Sequence, residues 1–170
     1  MQANGFHLEA TQPWAGALRG AVRGRVVVLG VGNDLRADDG AGSLVARRLR
    51  ERFPNVVFDG GQAPENQSGP LRRARPDAIV VVDAADFGGA PGEVRVVCAR
   101  EGEAGGLALG THALPIGTFL AALAEATGAT VHLVAIQAST TQLGVEMTPA
   151  VAAAVDEVAR ELAAVLGPQS

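Results

Sequence analysis

A chain of 170 residues, 48% hydrophobic and 19% charged, is long enough to bury one substantial core and too apolar to stay disordered. Its net charge of −4, with fourteen basic residues that are all arginine, argues against a nucleic-acid partner. A single cysteine excludes an internal disulfide framework and suits a reducing, cytoplasmic setting, and no apolar run reaches the roughly 20 residues of a membrane helix.

Residues 1–24 contain Pro13, Trp14 and scattered arginines but no secretory h-region, and read as an N-terminal tail or weakly docked arm ahead of a domain at 25–167. "RVVVLGVG" (25–32) is β-branched and apolar on both sides, as a strand covered on both faces should be. Asp38 or Asp39 then opens a helix to about Phe53, stopped by Pro54, with Leu44, Val45 and Leu49 as its apolar stripe. "NVVFDGG" (55–61) is a second strand running into a glycine turn, and the turn-rich 63–76 stretch has room for one short helix. "DAIVVVDAAD" (77–86) is the most buried-looking strand. In "GGAPGEVRVV" (88–97), Val94 and Val96 alternate with Glu93 and Arg95, which predicts a half-exposed or edge strand. Residues 99–111 are glycine-rich and read as a loop, with a helix from about Pro115 to Thr127. "TVHLVAIQ" (130–137) is a further strand. Thr148-Pro149 reads as a cap and N1 proline for a last helix carrying Val151, Val155, Val158, Leu162 and Val165, ending at Gly167. These elements predict an α/β fold: a three-layer α-β-α sandwich around a twisted, mostly parallel five-stranded sheet with one antiparallel edge strand.

In such sheets ligands bind beyond the carboxyl ends of the strands. Asp34, Asp38 and Asp39 crowd the turn after the first strand, Asp83 ends "AIVVVD", and His112 lies in "THALP" just before a helix start. Asp39, Asp83 and His112 can therefore converge as two oxygens and one nitrogen around a divalent cation, with coordination positions left open. Plainer roles remain open for each. Asp38 or Asp39 suits a helix N-cap, Asp83 suits a turn that bonds backbone N–H groups, and His112 suits an ordinary loop.

Other chemistries find less support. "GVGNDL" begins like a dinucleotide fingerprint, but Leu35 stands where the third glycine belongs. G-x-S-x-G, C-x-x-C and H-E-x-x-H are absent. Cys98 with His112 would form a thiol–imidazole pair, yet Cys98 follows an apolar strand and reads as a packed residue. His132 alternates with apolar positions and reads as structural.

Taken together, "VVVLGVGNDLRADDGAG", "DGGQAPEN", "AIVVVDAADFGGAPGEV" and "THALPI" resemble, in order and spacing, the [NiFe] hydrogenase maturation proteases over about residues 25 to 166. "APEN" and "THALP" are most similar to the branch that processes the large subunit of the formate-hydrogenlyase type, hydrogenase 3. The resemblance implies a cytoplasmic, aspartic-type endopeptidase that removes a C-terminal extension from the nickel-loaded large-subunit precursor. It also implies metal ligation at Asp39, Asp83 and His112. Nickel would arrive with the precursor, and zinc or cadmium would occupy the same ligands in vitro. Two departures stand out: Ala37 replaces a glycine common before the acid pair, and "IQAS" replaces an I-Q-P-like stretch after the last strand.

With no serine or cysteine nucleophile in evidence, the reading favours metal-assisted hydrolysis. Asp38 is left to cap the helix or orient a water, and Glu65 of "APEN" to contact substrate or face solvent. A monomer acting on a protein substrate, with neither membrane nor nucleic acid, is expected. The rival readings are a metal-dependent binding module without proteolysis and another hydrolase on a related fold, such as a peptidyl-tRNA hydrolase.

Overall fold

The computed structural model describes residues 14–99 and 116–167, and within them the five apolar runs pair into one sheet. Strands β1 (Val26–Val31), β2 (Val57–Gly61), β3 (Ala78–Ala85), β4 (Val94–Ala99) and β5 (Thr130–Gln137) lie in the order β2-β1-β3-β5-β4. β1 is parallel to β2 and β3, and β3 is parallel to β5. β4 runs antiparallel to β5 at the edge, where its alternation of valines with charged residues predicts it. All eight residues of β3 are buried, as a central parallel strand with helices on both faces requires.

Alternating strand residues feed two cores. Val26, Val28, Val80, Val82, Val134 and Ile136 pack with helices α1 (Trp14–Ala21), α2 (Ala41–Arg50) and α5 (Pro149–Leu166). On the opposite face Val27, Leu29, Ile79, Val81 and Leu133 pack with α3 (Ser68–Ala74) and α4 (Ile116–Thr127) through Leu71, Leu120 and Leu123. α1 falls in the stretch read as a tail or arm. Its Leu18 is fully buried, a contribution of about 1.5–3 kcal/mol. Trp14 Nε1 also donates to Glu157 of α5 at 2.8 Å, and Arg19 pairs with Glu161.

The helix expected to start at Asp38 or Asp39 and reach Phe53 is shorter than that. A 3-10 turn occupies Ala37–Gly40, and α2 begins at Ala41 and ends at Arg50. Gly40 holds the N-cap position and no side chain caps the helix, so neither aspartate plays the expected capping role. The start of α2 is instead set by close packing. A Cβ on Gly42 would fall 2.0 Å from the Val82 carbonyl oxygen and 2.3 Å from that of Val31, so only glycine lets α2 enter between the ends of β1 and β3. Because the chain leaves β1 for β2 on one side and returns to β3 on the other, that gap is the topological switch point of the sheet.

Candidate carboxylate site at the sheet rim

The β1–β3 ladder ends at Gly30 opposite Val82, while the β3–β5 ladder continues through Asp83 opposite Ala135. Asp83 therefore stands one residue past the point where β1 turns away, beside the opening this creates. It shares strand parity with Val81 and Ala85, which face α3 and α4. Asp39 reaches the same rim from the 3-10 turn that follows β1. Its backbone is held there by Asp39 N donating to Arg36 O at 2.9 Å and by Asn33 N donating to Asp39 O at 3.2 Å. A Cβ on Gly32 would lie 2.2 Å from the Asp39 carbonyl oxygen, so glycine at this position lets the turn close down on the strand end.

Both carboxylates are removed from solvent, Asp83 being 6% exposed and Asp39 2%. Burial pushes the Asp83 carboxyl well above the usual carboxylate range, and the neighbouring charge of Asp39 pushes it the same way; the Ala84 backbone N–H opposes both. Among the described residues nothing hydrogen-bonds Asp83 Oδ1. A buried acid whose ionisation is made costly by burial and by the neighbouring charge of Asp39, and whose Oδ1 has no partner among the described residues, is in an environment that a proton or a cation relieves. The donor set fits a hard or borderline divalent cation that accepts carboxylate oxygens. The described residues contain no group of three or more metal-ligating side chains. His112, the third ligand expected from the sequence, lies outside the described residues, as does the whole of "THALP".

Asp38 neither caps α2 nor faces the opening. It is completely buried, and its two oxygens face a loop more than a hundred residues away in sequence. Oδ2 accepts from Ser139 N at 2.8 Å and Thr140 N at 3.1 Å, and Oδ1 accepts from Thr148 N at 2.7 Å. The Thr148 hydroxyl lies 3.0 Å from each oxygen. The Thr148-Pro149 signal does mark the start of α5, but the threonine hydroxyl turns to Asp38 and makes no cap bond. With both oxygens engaged in this way, Asp38 is a strut rather than a base for an attacking water.

Glu65 sits in a 3-10 turn, Pro64–Gln67, that rests over the ends of β1 and β2, where Gly32 N donates to Gly61 O at 3.0 Å. Its side chain is exposed. Asp34, the third acid of the first turn, is held outward by a two-pronged bond from Arg47 at 2.7 and 3.2 Å. His132 is buried near the far end of β5, its Nε2 3.2 Å from Thr130 Oγ1, and burial lowers its pKa. It is a neutral structural residue remote from the rim. Cys98 lies on β4 opposite His132 in the ladder.

Gln137 is a residue whose role the sequence conceals. Its Oε1 accepts from Phe87 N and Gly89 N at 2.9 and 3.1 Å, while its Nε2 donates to Asp86 and to Ala138 O. It thereby shapes the turn that leaves β3 just beyond Asp83. A glutamine ending an apolar strand is the one local hint, because a buried amide must find partners.

Ala37, the departure from glycine, takes φ +47°, in the left-handed region, and is buried. Relief of about 1–2 kcal/mol on changing it to glycine is offset by the lost methyl burial, about 0.8 kcal/mol, and by glycine's extra chain entropy. Urea denaturation should therefore place Ala37→Gly within about 1 kcal/mol of the parent, whereas Ala37→Val, β-branched in that region, should cost about 2–4 kcal/mol.

With this geometry in hand, the relatives are informative. Residues 43–165 match the family model described as hydrogenase maturation protease. Over 109 residues the chain is 38% identical to the hydrogenase 3 maturation protease of Escherichia coli K12, an alignment covering 63% of this chain and 69% of that protein. The fold superposes on the crystal structure of a [NiFe] hydrogenase maturation protease from Thermococcus kodakarensis with a TM-score of 0.78 and 34% identity, covering 88% of this chain and 98% of the other. Against the solution structure of an Escherichia coli endopeptidase the TM-score is 0.68 at 34% identity, with coverages of 81% and 88%.

Proposed function

Because the chain belongs to the hydrogenase maturation protease family, we propose that it is the endopeptidase that trims a nickel-loaded [NiFe] hydrogenase large-subunit precursor. It removes the C-terminal extension, and Asp39, Asp83 and His112 complete the coordination of the nickel that the precursor brings. The observation that carries this reading is the buried Asp39–Asp83 pair at the switch point of the sheet, with Asp83 Oδ1 unpartnered among the described residues.

Nickel here is part of the substrate, and imidazole and carboxylate are ligands it accepts. Bound at this rim, the ion supplies Lewis-acid polarisation of the scissile carbonyl, or a water of lowered pKa. The chain's own residues do the rest. Asp83 holds a proton readily while the site lacks a cation and gives it up as the cation arrives, so binding and proton release are linked. Asp38 keeps the neighbouring loop in place. Glu65, exposed near the same rim, serves as a contact for the incoming polypeptide. Zinc or cadmium should bind the same ligands in vitro. The reaction is assigned to the cytoplasm and to a monomer; among the described residues no helix is long and apolar enough to cross a membrane.

Incubation of the purified chain with nickel-loaded and nickel-free precursor tests the assignment. Processing of the loaded form alone is the expected result, read as a mass shift of the large subunit. Equal cleavage of both forms discards nickel recognition. Metal binding without any cleavage makes the chain a binding module instead.

A further inference from the structure

Among the described residues the exposed large hydrophobic side chains are Leu35 (65% exposed), Leu143 (61%) and Val145 (39%). Isolated exposed leucines need no explanation, but contiguous ones mark contact surfaces. Here the fold gathers all three. Gly144 N, between Leu143 and Val145, donates to Leu35 O at 2.8 Å, so the loop after β5 lies directly against the turn after β1. The contact is repeated along its length. Asp38 N donates to Thr140 O at 3.1 Å, Arg36 Nη1 reaches Thr141 O at 3.4 Å, and the buried Asp38 carboxylate takes the Ser139, Thr140 and Thr148 amides. A buried charge is thus committed to holding a loop whose own apolar side chains face outward.

We propose that Leu35, Leu143 and Val145 form one apolar ledge that docks the polypeptide segment of the precursor around its scissile bond, and that Asp38 is the positioning residue holding the loop half of that ledge. The inference rests on the proteolytic reading and adds the surface that recognises the chain being cut. Continuity with the acid pair identifies the occupant. Leu35 lies four residues before Asp39 in the connection from β1 to α2, so the ledge adjoins the rim at which the scissile peptide bond is proposed to sit. A protease also needs binding energy from side chains remote from the reacting carbonyl, and an apolar ledge supplies it to an extended segment with apolar residues.

The test uses the full chain with purified nickel-loaded precursor, measuring precursor affinity alongside KM and kcat. Leu35→Ser/Leu143→Ser, checked for native circular dichroism, should raise Kd and KM by about tenfold or more, with a much smaller change in kcat. Leu35→Met/Leu143→Met should restore both constants. Asp38→Asn should raise KM more than it lowers kcat, and unaltered KM in folded Asp38→Asn removes its positioning role. Unaltered Kd and KM in the folded double serine variant overturn the ledge while leaving the protease reading intact. Precursor binding that is lost in the serine variant, with no cleavage even by the parent chain, keeps the ledge and removes the protease. A shift from dimer to monomer in sedimentation, at constant KM, makes the ledge a contact between two copies and overturns the proposal.

Discussion

Asp83→Asn should yield a protein that is more stable than its parent when stripped of metal and that no longer processes precursor. The stability gain follows from the site itself. Asp83 is buried, faces the charge of Asp39 and has an oxygen without a partner among the described residues, so its ionised form is costly in the folded state. Relief on the order of 1–3 kcal/mol, at about 2–4 °C per kcal/mol for a chain of this size, gives a Tm rise of roughly 2–12 °C.

The sign of the pH dependence checks the cause. The folded-state pKa lies above the ordinary 3.8, so the unfolded chain loses this proton first as pH rises. Between the ordinary value and the raised one the native state binds more protons, and stability falls with rising pH until the folded group has ionised. Asparagine has no such slope. Calorimetry in chelator should therefore find Asp83→Asn and the parent nearly equal near pH 4 and the variant clearly ahead at pH 8. A gap that does not depend on pH would show that the carboxylate's charge is not responsible. Asp39→Asn removes the second of the two causes and should shrink the gap without abolishing it. Processing should vanish in both variants, because a neutral amide is a poor replacement for a carboxylate ligand to a divalent ion.

Asp38→Ala is the substitution with the largest expected cost to folding. It strips the acceptor from the amides of Ser139, Thr140 and Thr148 and from the Thr148 hydroxyl, all served by one completely buried carboxylate. Bonds to a charged group contribute about 1.5–3 kcal/mol each and do not add fully, so a total near 4 kcal/mol and a Tm drop of roughly 8–16 °C are expected. Hydrogen exchange locates the damage. Protection should disappear at Ser139, Thr140 and Thr148 and persist along α2. Loss of a helix cap would do the reverse: it costs about 1 kcal/mol and frays the first turn of the helix. Unchanged protection at the three loop amides would remove Asp38 from its role as strut.

The difference between those two outcomes marks where sequence reasoning stopped short. An aspartate pair followed by glycine and an amphipathic stretch has the local pattern of a capped helix, and nothing within four residues of Asp38 distinguishes a cap from a strut. Its partner Thr148 likewise carries the pattern of a cap, and the two meet across 110 positions of sequence. A hydrogen bond over that span leaves no periodicity to read. The same holds for Leu35 and Leu143, whose exposure is set by which loop the turn rests against.

What the chain by itself determined is the set of elements and their layering. Runs such as "AIVVVD" and "TVHLVAIQ" are β-branched on both faces, and burial on both faces is possible only for strands between two helical layers. Because strand ends in such a sheet have a known polarity, Asp39 and Asp83 could be assigned to one rim before any coordinates. Only the tertiary structure decided that the charge of Asp39 bears on Asp83, that Asp38 serves a distant loop, and that the loop carrying Leu143 and Val145 lies against the turn carrying Leu35. Those facts depend on distance and dielectric between segments far apart in the chain, and the order of residues carries no record of either until the chain has folded.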